Sequence, residues 1–134
     1  MANEKVLEGL QTIVTDLAQQ ADGHALQSRI FASEGFTKLA EKYAEHAVEE
    51  RGWVDKCIDR LLDLGCEVKL EAKKEGPVYK DPVEWVKYDL EVSKNGLAWI
   101  YPVVNLHKLL KKFLLVCPHT KPSYNFIELL GNFI

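Results

Sequence analysis

Apolar residues recur at positions 6, 7, 10, 13, 14, 17 and 21, a three-and-four spacing that lays one stripe along an α-helix. The stripe predicts a helix over residues 3–34, closed by Gly35, since glycine takes the left-handed turn that ends a helix. A second run through Leu39, Tyr43, Val48, Ile58, Leu61 and Leu64 predicts another helix, capped by Thr37 and stopped by Gly65. Residues 66–80 lose the period. They are rich in lysine, hold Gly76 and Pro77, and read as a loop. Asp81-Pro82-Val83-Glu84 then restarts a helix: an acidic cap, proline where no backbone donor is needed, and glutamate at the capping-box position. This third helix is predicted to reach about Val116, kinked at Pro102. Cys117 to Ser123 carries two prolines and reads as a loop, and Tyr124 to Ile134 as a short final helix.

Two long helices in a tight hairpin, a long crossover and a third long helix describe an all-α helical bundle, a single domain over 1–134. The short C-terminal helix stands where a fourth long one would complete the bundle. Three helices leave an apolar groove that seeks cover, so at least a homodimer is expected.

Composition narrows the function. A net charge of −3 gives no basic face, so nucleic acid is not an expected partner. The N-terminus mixes charges into its apolar residues and is no signal peptide, and no stretch is apolar enough for a membrane span. The cysteines, at 57, 66 and 117, form no CxxC pair, which fits a reducing cytoplasm. No P-loop, catalytic triad or glycine-rich phosphate cradle is present.

The segments ALQSRIFASEGFTKLAEKYAEHAVEERGWVDKCIDRLLDLG and VKYDLEVSKNGLAWI resemble the bacterioferritins, within the ferritin-like superfamily. The likeness spans residues 10–101, and its marks are the SRIF…GF…LA run, the paired Glu49-Glu50, the DRLLDLG exit and Asp89-Leu90. The resemblance implies a ferritin-like bundle that stores iron in a shell of subunits and oxidises Fe(II) at a diiron centre. That centre takes a Glu from helix one, Glu-x-x-His from helix two, a Glu from helix three and a second Glu-x-x-His from helix four, because carboxylates charge-balance two hard cations and imidazoles fill the remaining positions. Carried over, Glu50 matches the helix-two carboxylate, but Trp53 replaces its histidine, Leu17 the helix-one Glu and Ser93 the helix-three Glu. The fourth-helix motif would begin past Ile134. The family's haem methionine falls at Arg51, so no haem is expected. Ferroxidase activity is expected to be lost or weak.

Antiparallel pairing of the first two helices, with residue numbers summing to 70, sets Leu17 against Trp53, Gln20 against Glu50 and His24 against His46. His24, His46 and Glu50, with Gln20 as a further group, are therefore candidates for a displaced mononuclear metal site, iron by the resemblance. The same residues also suit a hydrogen-bonded core with no metal. Glu45 and Glu49 correspond to positions that face the shell interior in the family and hold iron there. They equally suit a solvated helix face beside Lys38 and Lys42. Trp53 is expected to fill the vacated iron space. Two readings stand: an iron-binding storage-type protein with a degenerate ferroxidase centre, or a non-metal structural bundle that keeps only the fold.

Overall fold

A computed structural model of the chain describes residues 4–113. It contains α1 (Glu4–Ser33), α2 (Thr37–Asp63) and α3 (Pro82–Phe113), and no strand occurs among the described residues. The expected loop at 117–123 and short helix at 124–134 lie outside them. Helix α3 continues through Pro102.

Two glycines close the first two helices. Gly35 has φ +86°, the Gly35 N–H bonds the Ala32 carbonyl, and the Phe36 N–H bonds the Phe31 carbonyl at 2.9 Å. This double closure satisfies two carbonyls that the helix end leaves free, and the Phe36 ring meets Phe31 edge-on at 6.3 Å. Gly65, at φ +72°, repeats the closure after α2, with the Gly65 N–H on Leu62 and the Cys66 N–H on Leu61. Thr37 does not cap α2: Phe36 occupies the cap and makes no side-chain cap bond. The turn is so short that the residue closing α1 is also the one that opens α2. At α3 the acidic cap forms as the sequence implies, with the Val83 N–H on Asp81 Oδ1 at 2.9 Å.

Helices α1 and α2 pack side by side along the hairpin, and α3 lies more lightly against α1. Two apolar clusters form. One joins Leu10, Ile13 and Val14 to Val54, Cys57 and Leu61. The other joins Phe31, Ala40, Tyr43 and Trp85. Between them along α1 lies a buried polar layer of His24, Gln27 and Ser28, with Glu50 from α2. On α3, Val83, Val86 and Leu90 share a helix face and all stand exposed.

Candidate functional site

The polar layer is built around His24, which is 4% exposed. Its Nδ1 lies 2.7 Å from Glu50 Oε2 on α2, and its Nε2 lies 2.9 Å from Asp89 Oδ1 on α3. The Tyr43 hydroxyl donates to the other Asp89 oxygen at 3.2 Å. One imidazole thus bridges carboxylates from two helices, and all three helices meet at it.

A carboxylate accepts hydrogen bonds and an imidazole donates from both nitrogens only as the cation. Burial alone would push the His24 pKa down. The hydrogen bonds to Asp89 and Glu50, and the charges behind them, override that and raise it to about 9. Burial would likewise raise Asp89, but His24 beside it, helped by Tyr43, holds its carboxyl below the usual range. Burial first, then the Asp89 charge, pushes the Tyr43 phenol up to about 12. At neutral pH the layer therefore carries an imidazolium between carboxylates under a neutral tyrosine.

Aromatic rings wall the layer. Trp85 meets His24 edge-on at 5.8 Å and Tyr43 at 5.7 Å, and Tyr79 and Tyr88 pack on its far side. The Trp85 indole N–H is buried with no hydrogen-bond partner among the described residues.

Of the residues singled out from the sequence, His24 and Glu50 come together. His46 stops short: its ring centroid is 6.2 Å from that of His24, and its Nδ1 lies 3.7 Å from Glu49 Oε2 on the open face of α2. Gln20 is half-buried on α1, one turn before His24. Glu45 and Glu49 are both exposed, and Glu45 pairs with Lys42 at 3.5 Å. Trp53 is half-buried, with the Lys56 ammonium 4.1 Å from the ring centroid. Leu17 packs on the Leu10–Leu61 cluster. Arg51 pairs with Asp22 at 2.7 Å. The sequence reading did not choose Asp89 or Tyr43, although Asp89 was one of its marks of resemblance. A lone acid four residues after Trp85 was the available signal.

No group of three or more His, Cys, Asp or Glu side chains among the described residues is arranged to hold a metal ion. The chemistry agrees, since an imidazolium offers no lone pair while both nitrogens donate to carboxylates. Among the described residues, no ligand set for two irons is brought together.

The comparisons with known proteins decide the family. The family model for the ferritin-like domain of ferritin matches residues 7–113. The chain belongs to the ferritin-like family. Its fold is similar to that of an open-pore ferritin from the hyperthermophilic archaeon Archaeoglobus fulgidus, with TM-score 0.79 and 21% identity, covering 99% of this chain and 78% of that one. A closed form of the A. fulgidus ferritin engineered by site-directed mutagenesis gives TM-score 0.78 at 21% identity, covering 99% of this chain and 77% of that one. No curated protein matches the sequence. No helix among the described residues is long and apolar enough to cross a membrane.

Proposed function

We propose that this ferritin-like protein is an iron-binding, storage-type relative of the bacterioferritins whose ferroxidase centre is degenerate, and that it works without haem, in the cytoplasm, assembled with copies of itself. The observation that carries the degenerate centre is the His24 bridge between Glu50 and Asp89. Glu50 is the one residue that the resemblance assigns to the diiron set. Buried carboxylates need a cation nearby, and here the imidazolium supplies the charge that iron would otherwise bring. Leu17, Trp53 and Ser93 stand where the resemblance places other ligands, and none of them coordinates iron. Arg51, at the haem-ligand position, is engaged with Asp22.

Iron binding in this reading rests on two sets of residues. Glu45, Glu49 and His46 offer an open acidic face on α2. Glu50 and His24 are the inner set. Loading the inner set requires His24 to give up its protons, so iron there competes with the bridge. The bridge also favours the second reading, a structural bundle without metal, because every nitrogen of His24 already has a protein partner.

Aerobic addition of Fe(II) to the purified protein, against a protein-free blank, separates the readings. The proposal expects retained iron with oxidation no faster than the blank. Retained iron that falls with His24→Ala assigns it to the inner set, and loss with Glu45→Gln and Glu49→Gln assigns it to the open face. Oxidation well above the blank would overturn the degenerate centre, and no retained iron would leave the structural bundle standing.

A further inference from the structure

The crossover is not a free loop. Three glutamines of α1, spaced eight apart, each grip the backbone of one crossover residue from both sides. Gln11 accepts from the Lys69 N–H at 2.9 Å and donates to its carbonyl at 3.0 Å. Gln19 does the same to Lys74, at 2.8 and 2.6 Å. Gln27 accepts from the Tyr79 N–H at 3.2 Å and donates to the Tyr79 carbonyl. Eight residues of helix rise about 12 Å and turn the side chain about 80° around the axis. Five residues of extended chain span about 16 Å, so the gripped residues, five apart, follow that oblique path as a strap. Asp22 fastens the middle by pairing with Lys73 of the strap and Arg51 of α2.

The rungs differ in burial. Gln11 and Gln19 are half-buried and grip exposed residues, whereas Gln27 is fully buried. Past the third rung the chain turns directly into α3, and the Tyr79 ring lies on Trp85 and Tyr88. The side chains that hold the start of α3 to the hairpin are polar or aromatic: Asp89 on His24 and Tyr43, and Trp85 against both rings. The seam has two weak points. The Trp85 N–H is buried with no well-formed hydrogen bond among the described residues, and opening would return it to water. Asp89 is 23% exposed, whereas the His24 and Glu50 side chains facing it are nearly sealed.

We propose that α3 is a door on the α1/α2 hairpin, latched by the Gln27–Tyr79 rung and hinged on the strap, whose Gln11 and Gln19 rungs stay closed when the door opens. The opening uncovers His24 and Glu50 to solvent and its ions and takes Trp85 off Phe31 and Tyr43, while the Leu10–Leu61 end of the hairpin, which holds no α3 residue, stays packed. This rests on the seam, not on iron, so the iron experiment can fail without touching it.

The reporter is built in. Exchange of the Trp85 indole proton needs solvent to reach it, and nitrogen-15 NMR reads that rate beside the backbone amides. In the unaltered protein the door predicts that the Trp85 indole and the Tyr79 amide exchange through one opening, well ahead of the Val54 amide and insensitive to low denaturant. Gln27→Leu is expected to speed both by about tenfold, the effect of one lost buried hydrogen-bonded pair, with Val54 unmoved. Gln11→Leu is expected to leave Trp85 unchanged. Trp85, Tyr79 and Val54 exchanging together in the unaltered protein would overturn the door, because the bundle would then open only as a whole. Equal effects of Gln27→Leu and Gln11→Leu would overturn the latch.

Discussion

His24 Nδ1 stands 2.7 Å from Glu50 Oε2, between a helix pair whose neighbouring layers are apolar on both sides. Asp89 completes the bridge from α3. Among the described residues, the bridge is thus the charged tie that joins all three helices through the interior. Removing its centre should cost more than removing either end, because two carboxylates would be left facing each other without a cation. His24→Ala is expected to destabilise the protein by about 3–5 kcal/mol, the range for breaking a buried pair. Urea unfolding at pH 7 measures it, and a cost below 1 kcal/mol would mean that the bridge is not held in the folded state.

The same bridge fixes how stability depends on pH. His24 is raised from 6.5 to about 9 in the folded protein, so its contribution is whole below pH 6.5 and is lost as pH climbs to about 9. The loss amounts to about 3 kcal/mol over that window. Asp89 works in the opposite direction: its folded pKa is depressed, so its contribution is present above the ordinary carboxylate range and lost as pH falls through the folded value. Unfolding free energies measured from pH 3 to 10 should crest near pH 5–6 and decline on both sides. His24→Gln should flatten the alkaline limb, and an unchanged limb in that variant would assign the decline elsewhere.

Glycines at turns and glycines inside helices should respond with opposite signs. Gly35 sits at φ +86°, where a Cβ crowds its own carbonyl, so Gly35→Ala is expected to cost about 1–2 kcal/mol although nothing neighbours the site. Gly52 lies inside α2 with open space around it, and Gly52→Ala is expected to gain about 0.5–1 kcal/mol. Thermal unfolding of the two variants side by side checks the sign of each.

Cys57 is buried in the Leu10–Leu61 cluster, and burial pushes its thiol up to about 11. Cys66 is only half-buried, at the mouth of the crossover. Alkylation at pH 8 followed by peptide mapping should modify Cys66 well before Cys57, since reaction needs an accessible thiolate. Comparable rates would show that the end of the hairpin frays open.

How much of this could be read beforehand differed from residue to residue. The register placed Gln20 opposite Glu50, whereas the bond forms from His24, one turn on. Helical side chains lean toward their own N-terminus, and in an antiparallel pair the two leanings add, so touching residues sum to more than the backbones beside them. Trp53 was assigned to the vacated core, yet it sits half-buried beneath Lys56, because a ring at the edge of the stripe can keep one face on a cation. The crossover read as a loop because its order comes from glutamine amides gripping backbone, which leaves no apolar period to detect.

What the sequence determined by itself was local. The stripe set the helices, Gly35 and Gly65 ended them through a conformation other residues resist, and Asp81-Pro82 began α3 through one cap and one missing donor. It also put His24 and Glu50 on facing stripes of a short-turned hairpin, where a few residues of chain leave little freedom. Tertiary structure alone decided that Asp89 and Tyr43 join them and that Trp85 walls the site. Helix α3 arrives over a long crossover, so its rotation and height against the hairpin are set by what packs and pairs at the seam, not by any local rule of the chain.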